Sequence, residues 1–357
     1  MAHTAYEFES VASRPQSISV VLNNFNYGQF LAQAIDSVLA QTRRVHVVVV
    51  DDGSTDDSRS VIEGYGSRVQ AIFQANGGQG AAINTGFLAA TGDVVMFLDA
   101  DDMLDPTVAA TLLDVWQPAA VMVQFPLHIV DALGRRVGIH PDPPSSLSQG
   151  DVREELLRTG SFGATVTSGL AFRRDALAAV MPLPADELEF AADGYLVRAV
   201  AFLGLVQRLD SALGSYRSHD ANWSNLSATP GGLAQGFRKK ISAARKELDF
   251  TRQLAASHGL AVGKDVYPVS ADYIGCCLSL LLVDPASELV AGASRSDLLV
   301  RYVSAQWSSA ASVKRRLLAI GLAIAATLSP APLATRLLAW LHDPTSRPGW
   351  WRLRPRS

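Results

Sequence analysis

The chain has 357 residues, of which 48% are hydrophobic and 18% charged. That composition excludes a disordered chain and leaves room for roughly two domains. The net charge is −3, but residues 314–357 carry eight Lys/Arg and one Asp, a local +7, which leaves −10 on the first 313 residues. An acidic body with a basic tail predicts a surface contact made by the tail. No nucleic-acid partner is expected. Glu7 and Glu9 precede the first apolar run at Ile18, so no secretory leader is expected and a cytoplasmic placement follows. The adjacent Cys276 and Cys277 cannot easily reach disulfide geometry and are too few for a metal site; they read as packing residues.

Residues 1–16 form a loose arm. Ile18–Leu22 is a strand, followed by the polar loop Asn23–Tyr27. Phe30, Ala34, Ile35, Val38 and Leu39 then recur at helical spacing. Val45–Val50 is a second strand, opening into Asp51-Asp52-Gly53-Ser54-Thr55-Asp56, whose last residues cap a helix reaching Gly64. Val69–Phe73 is a third strand. The loop Asn76-Gly77-Gly78-Gln79-Gly80 leads into a helix through Asn84 to Ala90. Val94–Leu98 is a fourth, wholly apolar strand that ends in Asp99, Asp101 and Asp102. Strands and helices alternating at this spacing predict an α/β fold with a parallel sheet.

In such sheets ligands bind beyond the carboxyl ends of the strands. The loops Asn23–Tyr27, Asp51–Asp56 and Asp99–Asp102 therefore converge on one rim. Three adjacent carboxylates repel one another, so a positive partner is expected, and a divalent cation is the simplest. No Gly-x-Gly-x-x-Gly separates the first strand and helix, and no P-loop is present. Dinucleotide-linked hydride transfer and P-loop hydrolysis are demoted on that ground.

Downstream, Pro106–Trp116 reads as helix, Val121–Asp131 as strand, Asp151–Arg158 as helix, Gly169–Phe172 as strand and Arg173–Val180 as helix. Phe190–Leu203 is helical in period, with Asp193 starting its polar side, and Leu213–Tyr216 is a strand followed by Arg217-Ser218-His219. After Pro230-Gly231-Gly232 the pattern becomes helical, over Leu233–His258, Ser270–Leu282, Arg295–Ser308 and Ser312–Leu328. Leu317–Ala334 is uncharged for eighteen residues but is interrupted by Gly321, Pro330 and Pro332. It is short of the ~20 apolar residues a spanning helix needs. Two readings stay open for it: interfacial membrane contact, or burial against protein. Trp340, Trp350 and Trp351 beside Arg347, Arg352, Arg354 and Arg356 favour an anionic membrane surface.

Ile18–Tyr27, Asp51–Asp56, Asn76–Gly86 and Asp99–Asp102 resemble, in order and spacing, the family 2 glycosyltransferases of the GT-A fold. The resemblance covers about residues 17–225. It implies a mostly parallel sheet with helices on both faces and a C-terminal helical extension. The expected organisation is an arm (1–16), a GT-A domain (17–230), a helical extension (231–311) and an apolar helix with a basic Trp/Arg tail (312–357). It implies an inverting hexosyl transfer from a nucleotide-diphosphate sugar, most simply a UDP-sugar, to an acceptor hydroxyl. The acceptor would be a saccharide or lipid-linked saccharide of the cell envelope or of an exopolysaccharide. Mn²⁺ or Mg²⁺ is the implied cofactor, held by Asp99 and Asp101 with His219 as a further candidate ligand. Asn23, Asn24, Asn26, Asp51, Asp52, Asn84, Asp99 and Arg217 are the implied nucleotide-sugar residues.

Asp193, in Ala-Ala-Asp-Gly-Tyr-Leu, lies where the family places its general base. The Glu-Asp pair common there is Ala192-Asp193 in this chain, and Glu189 is the rival. The Gln-x-x-Arg-Trp signature of processive synthases is absent, so one sugar per encounter is expected. A peripheral position on the inner membrane face, through 314–357, completes the reading. A nucleotidyltransferase and a non-catalytic nucleotide-binding scaffold remain as alternatives. The first would want a basic, glycine-rich loop after strand one, and Asn23–Gln29 has no basic residue.

Overall fold

The computed structural model describes residues 13–184, 192–219, 230–263, 270–308 and 313–342. The chain divides into two compact units: Met1–Leu156 with Phe162–Ser218, and Leu157–Ser161 with His219–Ser357.

The first unit begins with β1 (Ile18–Asn24), α1 (Gly28–Leu39), β2 (His46–Asp51), α2 (Ser58–Glu63), β3 (Gln70–Phe73), α3 (Gly78–Ala89) and β4 (Val94–Asp99). It continues through β5 (Met103–Leu104), α4 (Val108–Val115), β6 (Ala120–Gln124), β7 (Leu127–Val130), β8 (Arg136–His140) and α5 (Arg153–Thr159). β9 (Leu170–Arg173), α6 (Arg174–Val180), α7 (Ala192–Ala201), β10 (Leu205–Arg208) and β11 (Gly214–Arg217) complete the elements. A seven-stranded sheet runs β10-β6-β9-β4-β1-β2-β3, and a small one runs β5-β11-β7-β8. The large sheet is parallel except at β9, which is antiparallel to both β4 and β6.

Every residue of β1 is buried, as expected of a strand covered on both faces. Val20 and Leu22 pack in the cluster with Leu31, Ile35 and Val38 of α1 and Leu112 of α4. Val21, on the opposite face, meets α3: a Cβ on Gly86 would lie 2.2 Å from Val21 Cγ1. The helices therefore lie on both faces of a mostly parallel sheet, the GT-A architecture expected.

The single strand expected over Val121–Asp131 is instead β6 and β7, which belong to different sheets. Pro126 stands between them and has no N–H to give to a ladder. The strands β5, β8 and β10 were not anticipated. β8 is an edge strand with Arg136, Val137 and Gly138 exposed, so it shows no apolar alternation.

The second unit contains α8 (Pro230–Ser257), α9 (Ala271–Val283), α10 (Arg295–Ser308), α11 (Val313–Leu328) and α12 (Ala331–His342). Its core joins Leu233, Phe237 and Ile241 of α8 to Ile274, Cys277 and Leu281 of α9 and to Leu298 and Tyr302 of α10. Cys276 and Cys277 are free and buried, as packing residues should be. The sequence pattern missed α12 because Pro330 and Pro332 look like breaks. Pro332 sits in the first helical turn, where no intrahelical N–H is required. Trp340 is half-buried and packs against the cluster of Leu322, Ala326 and Leu338. No helix among the described residues is long and apolar enough to cross a membrane. Arg347, Trp350, Trp351, Arg352, Arg354 and Arg356 lie outside the described residues, as does Glu189.

Candidate functional site

The strand register builds the rim. Asn23 pairs with Asp99 across β1 and β4, and Asn24 pairs with Asp51 across β1 and β2. Three adjacent strands thus place an acid, two amides and an acid in one row at their carboxyl ends. Asn24 Nδ2 donates to Asp51 Oδ1 at 2.7 Å and to Ser54 Oγ at 3.1 Å. Asn26 holds a left-handed φ of 60°. Its N–H donates to Ser54 Oγ at 2.9 Å, and its Oδ1 accepts from Thr55 N at 2.7 Å. Asn and Asp tolerate this backbone region better than other non-glycine residues. The first and second loops are therefore tied together by their own polar side chains.

The acidic loop after β4 is built differently. Asp99 is partly buried and accepts from Gln79 Nε2 at 3.3 Å. Burial, and then the charges of Asp101 and Asp193, push its carboxyl up to about 8. Burial also drives Asp102 well above the carboxylate range, with Asp101 and Asp99 adding to the effect. Asp102 Oδ1 accepts from the Arg217 N–H at 2.9 Å. Burial, Asp101 and Asp99 raise the Tyr27 phenol beyond its ordinary range. Asp193 opens α7 and is half-buried, with Oδ1 accepting from Gly194 N at 2.8 Å. Its charge adds to the upward shift at Asp99.

Asn23 is 9% exposed, and neither atom of its side-chain amide has a hydrogen-bond partner among the described residues. Asn24 Oδ1 is in the same condition. A buried polar atom left unpaired costs roughly 1–3 kcal/mol, so such atoms at a rim call for a ligand. Mutually repelling carboxylates beside unpaired amide oxygens form a hard-oxygen donor set. That set fits Mg²⁺ or Mn²⁺.

Asn23, Asn24, Asp51, Asp99, Asp101 and Asp193 are thus brought together. Four other expected residues are bonded within the scaffold. Asn26 ties the first two loops. Asp52 is buried, accepting from Gln74 Nε2 (2.7 Å), Gly77 N (2.9 Å) and Gly78 N (2.8 Å), and so cinches the glycine loop. Asn84 exchanges two hydrogen bonds with the Leu183 backbone.

Arg217 was expected at a phosphate, yet it is 1% exposed. Its Nε donates to Asp101 O at 2.9 Å and its Nη2 to Gln33 Oε1 at 2.7 Å, and its guanidinium lies 4.7 Å from the Phe30 ring centre. It fixes the acidic loop from behind. His219 is half-buried and belongs to the second unit. Gln79 and Tyr27 were missed as individual residues although both lie in motif segments. Ser168, whose Oγ accepts from Asp99 N at 3.2 Å, carries no signal in the sequence.

The second unit also gathers ligating atoms of Asp272, Cys276 and His342 within 4.8 Å. There the imidazole Nε2 is paired with Ser279 Oγ at 2.8 Å, and the ring packs on Phe237. Burial first pushes that imidazole down to about 4. This is a satisfied core histidine.

Comparison with known proteins bears on the first unit. An uncharacterised glycosyltransferase of Nostoc sp. (strain PCC 7120) is 42% identical over 212 residues, covering 57% of this chain and 66% of the relative. One from Rickettsia prowazekii is 33% identical over 90 residues, covering 25% of this chain and 28% of that one. The chain thus spans just under two thirds of the first relative and about a quarter of the second. The crystal structure of Staphylococcus aureus TarS 1-349 aligns with a TM-score of 0.47 at 17% identity, over 92% of each chain. The family match runs from β1 through α6, taking in every rim residue named above except Asp193. Residues 19–180 match the description Glycosyl transferase family 2, and with the Nostoc relative this shows a domain of that family spanning β1 to α6 of the first unit.

Proposed function

We propose that this rim moves one sugar from a nucleotide-diphosphate sugar to an acceptor hydroxyl, with inversion at the anomeric carbon. The observation that carries the reading is the strand-end row of Asn23, Asn24, Asp51 and Asp99, in which both Asn23 amide atoms are buried and unpaired among the described residues. Asp51 faces the base, and Asn23 and Asn24 supply amide contacts to the nucleotide. Asp99 and Asp101 hold Mn²⁺ or Mg²⁺, which when bound offsets the negative charge that builds on a diphosphate leaving group. Arg217 keeps the Asp101 backbone in place for that role.

Asp193 is the general base. Its carboxylate takes the acceptor hydroxyl proton as the acceptor oxygen bonds to the anomeric carbon. The bond from that carbon to the β-phosphate oxygen breaks, and the nucleoside diphosphate leaves with the electron pair. The donor is a UDP-sugar. The acceptor is an envelope or exopolysaccharide saccharide, free or lipid-linked.

The test is a product assay. The full chain is incubated with Mn²⁺ or Mg²⁺, a panel of sugar nucleotides and saccharide acceptors. Donor- and acceptor-dependent release of nucleoside diphosphate is expected, with an inverted anomer in the product. Release of pyrophosphate would mean nucleotidyl transfer. Tight donor binding with no turnover on any acceptor would reduce the site to a nucleotide-binding scaffold.

A further inference from the structure

We propose that α11 is a membrane-docking helix that lies in the surface of an anionic lipid bilayer. Its two faces are both apolar. Leu322, Ala323 and Ala326 are buried against the second unit's cores. On the other side Val313, Leu317, Ile324 and Leu328 are 60%, 54%, 39% and 81% exposed. With the half-exposed Ile320 they recur at i, i+4, i+7, i+11 and i+15. At about 100° per residue these five fall within roughly 80° of arc. At about 1.5 Å per residue they make a row roughly 22 Å long. Single exposed apolar residues are ordinary, but a continuous row on the outer face of a surface helix is not. The outer face of such a helix is normally polar.

The charges around the row select the occupant. Lys314 and Arg315 are exposed at the start of α11, and Arg336 is exposed on α12. Arg316 Nη1 donates to the Trp307 backbone oxygen at 2.9 Å. That bond sets Trp307, itself 53% exposed, beside the first turn of α11. A row of aliphatic side chains with cations and a tryptophan at one end matches the headgroup boundary of an anionic bilayer. A second copy of this chain would bring the same cations against themselves, which opposes self-association through this face. α11 has sixteen residues and carries three cations, so it lies on the surface rather than spanning. The inference does not depend on the proposed sugar transfer.

The test is cosedimentation of the full chain with vesicles of phosphatidylcholine alone and of phosphatidylcholine with phosphatidylglycerol. Binding to the anionic vesicles is expected, weakened by added salt. The double variant Leu317→Glu/Ile324→Glu should bind those vesicles at least about tenfold more weakly, since binding follows buried apolar area. It should still melt as a cooperatively folded chain, because neither position is in the buried cores. Should that variant not fold, Lys314→Glu/Arg315→Glu asks the same question from the charged end and is expected to weaken binding similarly. Undiminished vesicle binding by the folded variants overturns the proposal. So does equal binding to neutral and anionic vesicles. A concentration-dependent dimer that Leu317→Glu/Ile324→Glu dissolves, with no vesicle binding by the parent, would assign the face to a second copy.

Discussion

The sheet unit and the helical unit depart from ordinary packing in opposite directions. In the sheet unit, polar atoms stand inside without a partner among the described residues: the whole side-chain amide of Asn23, and Asn24 Oδ1, beside carboxylates that repel one another. In the helical unit the interior is well matched. His342 is hydrogen-bonded to Ser279, and the buried Thr251 Oγ1 donates to Glu247 O at 2.8 Å. There it is the outside that is uncovered, along Leu317, Ile324 and Leu328. An unpaired polar atom in a cleft and an uncovered aliphatic row on a surface both mark where something else completes the molecule. The first calls for an oxygen-rich, charged ligand and the second for an apolar surface.

The largest expected effects fall on the acids of the sheet unit. Asp101→Ala should abolish metal-dependent donor binding, read by calorimetry with a UDP-sugar at fixed Mn²⁺; unchanged affinity would remove Asp101 from the donor site. Asp193→Asn should keep donor affinity and lower transfer by ~10²-fold or more, the scale of a lost general base. Near-parental kcat would move that role to another acid, with Glu189 the first to examine. The two variants separate binding from proton transfer.

Arg217→Ala comes next. It removes a buried guanidinium from Asp101 O, Gln33 and the Phe30 ring and leaves a void behind the acidic loop. A loss of about 3 kcal/mol in denaturant unfolding is expected from the cavity and the stranded acceptors. Arg217→Lys should recover part of the stability and little of the geometry, because a lysine cannot reproduce the planar fork. If Arg217→Ala left stability intact and weakened only donor binding, the side chain would be a ligand after all.

Gly53→Ala is a smaller perturbation of the same unit. Gly53 has φ +77°, and an added Cβ would sit 2.7 Å from Asn76 N. A destabilisation of about 2 kcal/mol is expected, within the range for a residue held in a sparsely populated backbone region. An unchanged melting temperature would show that the Asp51–Asp56 turn relaxes freely.

These positions also show what could be read from the chain alone. Apolar runs ending in polar clusters gave the order of β1, β2 and β4, and the rim followed because a parallel sheet puts those ends side by side. The partners that fix each side chain were not legible. Asp52 and Asn84 look like ligand residues in sequence, yet each is tied to backbone brought in by the fold, as far away as Leu183. Arg217 looks like a phosphate contact until its burial is known. The division of Val121–Asp131 between two sheets depends on long-range pairing that no local period encodes. In the second unit, helical period found α8 to α11 and lost α12 to two prolines. Periodicity also could not tell which apolar face of α11 is covered, because both faces repeat at the same spacing.

The smallest expected effect sharpens the contrast most. Asn23→Ala removes an amide that is 9% exposed and makes no hydrogen bond to the described protein. An ordinary buried amide would cost the fold on removal, because its partners would be stranded. Here no partner is stranded, while the desolvation cost of the amide itself disappears. Thermal unfolding of the ligand-free chain should therefore be unchanged or slightly raised. Donor affinity should fall by about tenfold, the worth of roughly one hydrogen bond to a charged ligand. The opposite pattern, a lower melting temperature with donor affinity intact, would mean that Asn23 is paired within the protein, and the unpaired atoms of the sheet unit would no longer mark a ligand site.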